Sequence, residues 1–184
     1  MSSWDQALTE ILGRYAESFS GKTYDEENND IDVLMDVFSI SPELKRENRQ
    51  YWGRELGMCW QLLVTELFRQ TREDFEPGYR DNADELCDLI SGKEAIDTKY
   101  RIGSGDSGTL KKFKQYGKKL SELGFRPVLL ILRDDNLPAA ISACLRGGWI
   151  VHTGQSTFDY IQAQTGIDLQ RWLRACGTSH CIKR

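Results

Sequence analysis

The stretch Cys87-Asp88-Leu89-Ile90-Ser91-Gly92-Lys93-Glu94-Ala95-Ile96-Asp97-Thr98-Lys99-Tyr100 decides the fold. It predicts two short strands, Leu86 to Ile90 and Ala95 to Tyr100, joined by a glycine-containing turn. Side chains alternate along a strand, so Asp97 and Lys99 share one face. If the strands pair as a hairpin, Asp88 lies close to Asp97.

Two carboxylates and one ammonium around a small volume outline a hydrolytic metal site. Hard divalent cations such as Mg²⁺ often take only one or two carboxylates and leave their other positions to water and substrate phosphate. Such a metal activates its bound water and neutralises charge on a phosphodiester, while a nearby lysine orients the nucleophile. Asp88, Asp97 and Lys99 are therefore candidate catalytic residues. The alternative is a solvated hairpin, because charged residues make up 28% of the chain and this spacing also arises by chance.

The most basic segment of the chain follows at residues 99–119. It holds seven basic residues and one acidic residue, a local balance of +6 in a protein of net charge −4. One concentrated basic stripe on an acidic chain favours a face that meets phosphate. The alternative is a solvated lysine-rich helix. The predicted phosphate contacts are Lys111, Lys112, Lys114 and Lys118.

A flexible loop, Gly103-Ser104-Gly105-Asp106-Ser107-Gly108-Thr109, connects the strand to this basic helix, and Thr109 is its predicted helix cap. The loop is not a Walker A motif, because Thr109-Leu110 stands where lysine followed by serine or threonine is required. We interpret it as a DNA-facing loop, with a simple turn as the alternative.

These residues resemble the PD-(D/E)xK nucleases, and among them the small type II restriction endonucleases. The resemblance covers residues 80 to 155, and the stretch from Lys99 to Tyr116 is similar to the ApaLI type. It implies Mg²⁺ ligands at Asp88, Asp97 and the Thr98 carbonyl, with Lys99 positioning the attacking water.

Two assignments stay open within this resemblance. Cys87 stands where the family name expects proline, so Asp84 is the next candidate for the first ligand after Asp88. A glutamate from an N-terminal helix often joins the metal site in this family, which makes Glu66 or Glu55 a candidate. Glu66 is taken as the catalytic candidate, although both glutamates also suit a surface position with i, i+4 partners.

The predicted function is that of a magnesium-dependent type II restriction endonuclease that cuts double-stranded DNA as a homodimer, since a twofold enzyme matches a palindromic target. Lysines would contact phosphate without reading sequence, and the loop would read bases, with Arg101 suited to guanine. The base-reading candidates are Arg101, Ser104, Asp106, Ser107 and Thr109. The alternatives are a repair or recombination nuclease of the same superfamily and a non-catalytic DNA-binding module.

The order of predicted elements is helices, a β-hairpin, then helix, strand, helix, strand and helix. This order predicts a single α/β domain with a mixed central sheet flanked by helices, similar to a restriction endonuclease. We divide it into a helical N-terminal region over residues 1–75, a catalytic core over 80–155, and a C-terminal helix and tail over 156–184. The continuous apolar run Pro127 to Leu132 predicts a strand covered on both faces. The sequence also predicts helices from Ser3 to about Ser18, from Ser41 to about Arg72 and from Ser156 to about Arg174, the last interrupted at Gly166.

Composition sets further bounds. The chain has no run of eighteen apolar residues and no signal segment, so we expect a cytoplasmic protein without a membrane partner. Five scattered cysteines indicate reduced thiols. The two histidines are too few for a histidine-based nuclease, and the tail from Cys176 to Cys181 lacks the ligand spacing of a zinc finger.

Overall fold

A computed structural model gives the structure of the protein and describes Thr9 and residues 12–14, 27–103 and 107–182, with residues 107, 178 and 179 described by their backbone only. The helix predicted from Ser3 to Ser18 lies outside these residues, except at the positions named, which are helical.

Seven helices and seven strands follow along the described residues from 27 onward. The helices are α1 (Val33–Phe38), α2 (Pro42–Glu47), α3 (Arg49–Thr71), α4 (Ser107–Glu122), α5 (Pro138–Arg146), α6 (Gln155–Thr165) and α7 (Leu169–Cys176), with a 3₁₀ turn at Gly177–His180. The strands are β1 (Phe75–Pro77), β2 (Arg80–Asp81), β3 (Asp84–Glu85), β4 (Leu89–Ser91), β5 (Glu94–Lys99), β6 (Arg126–Ile131) and β7 (Ile150–Thr153). No helix in the described part of the chain is long and apolar enough to cross a membrane.

Five strands form the central sheet in the order β1-β4-β5-β6-β7. β1 pairs with β4 and β4 with β5 in the antiparallel sense, whereas β5, β6 and β7 run parallel and are connected by helices. β2 and β3 form a separate small hairpin. The prediction of a mixed α/β protein with a mixed central sheet flanked by helices is confirmed.

The sheet separates two apolar cores, and β6 contributes to both. Leu130 faces the core that also contains Trp60 of α3, while Leu129 and Ile131 face the core beneath α4 and α5. These side chains are fully buried, and burying each stabilises the fold by about 1.5–3 kcal/mol. A strand covered on both faces must be apolar at every position, and the predicted run forms such a strand.

Two helix boundaries differ from the sequence prediction. The helix predicted from Ser41 to about Arg72 is two helices, because Asn48 takes φ −152° and its side chain accepts a hydrogen bond from the amide of Tyr51, which begins α3. Thr109 is not the cap of the basic helix, since α4 already begins at Ser107. The interruption predicted at Gly166 is confirmed, where φ of +75° ends α6.

The buried guanidinium of Arg133, just after β6, forms ion pairs that join the segment before α1 to the sheet. The side chain of Arg133 is 3% exposed. It donates to Asp32 Oδ2 at 2.9 Å and to Asp135 Oδ1 at 2.7 Å. Asp32 also caps α1 and accepts a hydrogen bond from the hydroxyl of Tyr100. One guanidinium therefore joins α1 to the carboxyl end of the sheet.

Arg133→Met should lower the free energy of unfolding by about 3 kcal/mol, because it takes a buried cation away from two partly buried carboxylates, of which Asp135 keeps Arg101 as a partner. Urea unfolding at pH 7 measures this loss. The control is Arg146→Met, which alters an exposed arginine of α5 and should change stability by less than about 0.5 kcal/mol. Equal stability of the two variants would contradict the structural role of Arg133.

Candidate active site

The candidate site lies where β5 extends past the start of β4. The last residue pair between these strands is Leu89 with Ile96, while β5 continues beside β6 as far as Lys99. Asp88 is one residue beyond that last pair, and its amide donates to the carbonyl of Ile96 at 2.9 Å. The edge of β5 at residues 97–99 therefore faces the side chain of Asp88 instead of another strand.

The Asp88 carboxylate is fixed by three hydrogen bonds. Its Oδ2 accepts from the amide of Thr98 at 2.7 Å and from the hydroxyl of Thr98 at 2.6 Å. Its Oδ1 accepts from Nε2 of Gln61, on α3, at 2.7 Å. Asp88 thus takes the place of a strand partner for β5 and joins it to α3.

Asp97 and Lys99 lie on the same strand two residues apart, as predicted from the alternation of side chains. The ammonium of Lys99 donates to Asp97 Oδ2 at 2.5 Å and to the carbonyl of Thr98 at 3.0 Å. The Asp97 side chain is 14% exposed and that of Lys99 is 37% exposed. The site is sheltered but open to solvent at the ammonium.

Burial and like charge oppose ionisation of Asp88. Burial raises the pKa of Asp88 to about 6, with a further contribution from the charge of Asp97, against the opposing effects of Lys99 and Thr98. Burial also acts against the charge of Lys99, but Asp97 and Asp88 outweigh it and raise the pKa of the ammonium. The charges of Asp88 and Asp97 repel each other, and the charge of Lys99 offsets this repulsion only in part. The arrangement therefore destabilises the folded protein when both carboxylates are ionised.

The donor set suits a hard divalent cation. No group of three or more His, Cys, Asp and Glu side chains that could hold a metal ion is found among residues 27–103 and 107–182. Two carboxylates and a main-chain carbonyl are nevertheless enough protein ligands for Mg²⁺, which keeps water and substrate oxygens. The Lys99 ammonium already contacts Asp97 and the Thr98 carbonyl, so one cation can reach both oxygens.

The structure does not bring Glu66 to these residues. Glu66 pairs with Arg69 and accepts a hydrogen bond from Gln70 on the exposed side of α3. Five residues of helix rotate its side chain by about 140° from Gln61. The prediction that Glu66 joins the site is therefore corrected, and Gln61 is the residue of α3 that reaches it.

The family pattern predicts a glutamate from the N-terminal helix at this position, and a glutamine falls outside that pattern. A signal was present in the sequence, since Gln61 lies between the core residues Trp60 and Val64 on the helix. A polar residue bordering an apolar helical stripe faces the edge of the core and needs a polar partner there.

Asp84, the alternative first ligand, lies elsewhere. Its Oδ1 accepts a hydrogen bond from the hydroxyl of Tyr116 at 2.7 Å and is 3.6 Å from the ammonium of Lys112. Asp84 thus holds the small β2–β3 hairpin against α4. The structure favours Asp88 as the partner of Asp97.

The lysines of α4 fall into two groups. Lys112 and Lys119 pair with Asp84 and Asp81 of the β2–β3 hairpin. The others share a different side of the helix by their spacing, and none forms an ion pair within the described residues. This second group is Lys111, Lys114 and Lys118, which we name the free lysine face.

The loop before α4 is described only in part. Ser104, Asp106 and the side chain of Ser107 lie outside the described residues, and Thr109 lies in the first turns of α4, so base contacts by these four residues stay a prediction. The Arg101 side chain is 13% exposed, and its Nε donates to the carbonyl of Asp135 at 2.8 Å. Arg101 is therefore held against the end of β6, which weakens its assignment to guanine.

Comparison of the chain with family models, curated proteins and solved structures found no match. The nuclease resemblance therefore rests on the residues and the topology described above.

Asp88→Asn should stabilise the protein at neutral pH in the absence of divalent metal. Between the ordinary carboxyl pKa of 3.8 and the raised pKa of about 6, the folded protein holds a proton that the unfolded chain releases. Asp88 therefore costs stability as the pH rises through this window. The expected gain from asparagine is about 1–2 kcal/mol at pH 7.5 and close to zero below pH 4, measured by urea unfolding in EDTA.

Asp84→Asn is the matched control, because Asp84 is exposed and its pKa is lowered by the Tyr116 hydrogen bond. This variant should lose a little stability at pH 7.5. A gain in stability for Asp88→Asn that is independent of pH would contradict the raised pKa.

Proposed function

We propose that the protein is a magnesium-dependent endonuclease of the PD-(D/E)xK type that hydrolyses phosphodiester bonds of double-stranded DNA. The observation that carries this proposal is that Asp88, Asp97 and Lys99 all lie beside Thr98 at the carboxyl end of β5. The hydroxyl of Thr98 donates to Asp88, and the ammonium of Lys99 donates to Asp97 and to the Thr98 carbonyl.

Topology gives additional support. An antiparallel hairpin bearing the two aspartates is followed by a crossover helix and a parallel strand, as expected for a restriction-endonuclease core. The crossover helix is α4, which also carries the free lysine face. The candidate site and the candidate phosphate contacts are therefore close in the chain, on the consecutive elements β4, β5 and α4.

Asp88, Asp97 and the Thr98 carbonyl would hold the metal, which when bound supplies positive charge to the scissile phosphate and acidifies its water. Gln61 and Thr98 orient Asp88; Oδ2 already accepts two hydrogen bonds, so the lone pair that stays open to a metal is on Oδ1. The Lys99 ammonium is placed to donate a hydrogen bond to the attacking water or to the phosphate oxygen that gains charge.

DNA would be held chiefly through phosphate by Lys111, Lys114 and Lys118. We further propose site-specific cleavage of the type II kind, on the basis of the family resemblance. Incubation of the protein with phage DNA and Mg²⁺, followed by sequencing of fragment ends, tests this finer proposal. Ends that share one short sequence support it, whereas ends located by nicks, flaps or branches indicate a repair nuclease.

Asp97→Ala should abolish magnesium-dependent DNA cleavage, with a loss of at least about 10³-fold, because it removes a metal ligand and the partner of Lys99. Cleavage of supercoiled plasmid measures the loss, and DNA binding in EDTA should persist. Asp84→Asn serves as the control and should retain cleavage. Unchanged cleavage by Asp97→Ala would defeat the site assignment, and an unsubstituted protein that binds DNA without cutting would indicate a binding module.

The two groups of lysines predict different salt dependences of DNA binding. The double variant Lys111→Ala, Lys118→Ala should reduce the slope of log K against log salt by about 2, since each lost phosphate contact removes about 0.9. Fluorescence anisotropy with duplex DNA in EDTA measures the slope. The control, Lys112→Ala with Lys119→Ala, removes lysines already paired with aspartate and should change the slope by less than half as much.

A further inference from the structure

An exposed apolar groove runs between α3 and the start of α7. Its volume is about 880 Å³. Met58 and Leu62 of α3 form one wall and are 52% and 61% exposed; Ile167 and Trp172 form the other and are 42% and 53% exposed. Large apolar side chains gathered on one surface mark an interaction site, because single exposed residues of this kind are ordinary but clusters are not.

We propose that this groove binds a second copy of the chain, with the two α3 helices packed antiparallel about a twofold axis at Leu62. In such an isologous interface, each position of one helix meets the position equally far from the axis on the other. Leu62 would then meet Leu62 of the partner subunit at the centre. Trp172 would supply a large aromatic contact beside it, of the kind that anchors interfaces.

The charges at the ends of this stripe suit an antiparallel pair. Positions seven residues apart share one side of a helix, so Glu55, Leu62 and Arg69 lie in a single row. Antiparallel packing about Leu62 places Glu55 opposite Arg69 of the partner subunit, and symmetry repeats the pair. Both side chains are accessible, at 46% and 53% exposure. A parallel arrangement would instead set like charges against each other.

The N-terminal segment of the same chain, residues 1–26, is the competing occupant, because in a helix its sequence would place Trp4, Leu8, Ile11, Leu12 and Tyr15 on one face as an apolar stripe. Its charge is unfavourable, since the segment is acidic and the groove is flanked by Glu55 and Glu66. The described part of that stripe, Leu12, is itself 70% exposed. The second copy is therefore the occupant that the charges favour.

This inference does not rest on the proposed nuclease activity, because it uses only the exposed face of α3 and its charges. It would have a consequence for that activity. α3 carries Gln61 to the candidate active site next to Leu62, so the interface helix also supports the site. Two sites coupled through paired α3 helices suit the cutting of two DNA strands.

The first test is the mass of the protein in solution, measured by sedimentation equilibrium over a range of concentrations. The unsubstituted chain should be a dimer. Leu62→Glu should weaken the dimer by at least about 30-fold, because it places two like charges at the centre of the interface. The matched control is Leu145→Glu on α5, where the leucine is 58% exposed, and it should leave the dimer unchanged.

A charge exchange provides the second test. Glu55→Arg and Arg69→Glu should each weaken the dimer by about 3- to 10-fold, and the double variant should recover most of the loss. Arg69→Glu also removes the pair with Glu66 within the helix. The double variant does not restore that pair, so a recovery reports contact between subunits and not helix stability, which circular dichroism follows separately.

A monomeric protein at all concentrations would overturn the proposal, as would a dimer that Leu62→Glu leaves intact. If deletion of residues 1–26 turns a monomeric chain into a dimer, the N-terminal segment is the occupant and the proposal is wrong. Loss of DNA cleavage alone has no bearing on it, since mass is the measured quantity.

Discussion

Parallel pairing of β5 with β6 is the constraint on which the rest of the structure depends. All six residues of β5 are paired to β6, from Glu94 with Arg126 to Lys99 with Ile131. This pairing fixes which side chains of β5 face each core, because a shift of one residue would exchange the faces. Ile96 enters the core against α3, and Asp97 and Lys99 are turned to the opposite side. The position of the candidate site follows from this register.

The candidate site forms because β4, the antiparallel neighbour of β5, is short. β4 starts at Leu89, so β5 loses its antiparallel neighbour where residues 97–99 begin. The carboxylate of Asp88 and the ammonium of Lys99 satisfy the main-chain groups of Thr98 that a longer strand would have paired. The same contacts hold Asp88, Asp97 and Lys99 beside Thr98, where they are partly buried. A carboxyl with a pKa raised to about 6 lowers stability at neutral pH, as is common where function requires a strained arrangement of charges.

The basic helix illustrates how tertiary structure divides a uniform sequence pattern. Five lysines between residues 111 and 119 look equivalent along the chain, yet the β2–β3 hairpin neutralises Lys112 and Lys119 with its aspartates. The remaining lysines keep their charge available to a ligand. A similar division occurs in α3, which buries Trp60, presents Gln61 to Asp88 and leaves Leu62 exposed within three consecutive residues.

The sequence by itself determined the hairpin, the doubly covered strand, the break at Gly166 and the grouping of Asp88, Asp97 and Lys99. Each depends on local periodicity or on glycine, which act over a few residues. Tertiary structure alone decided that Gln61 and not Glu66 reaches Asp88, that Asp84 belongs to the hairpin, and that Arg101 is held by Asp135. These outcomes depend on the rotation of a helix against a sheet and on contacts between residues far apart in the chain. The strands β1, β2 and β3 were also undetectable, because two or three residues are too few to show a period.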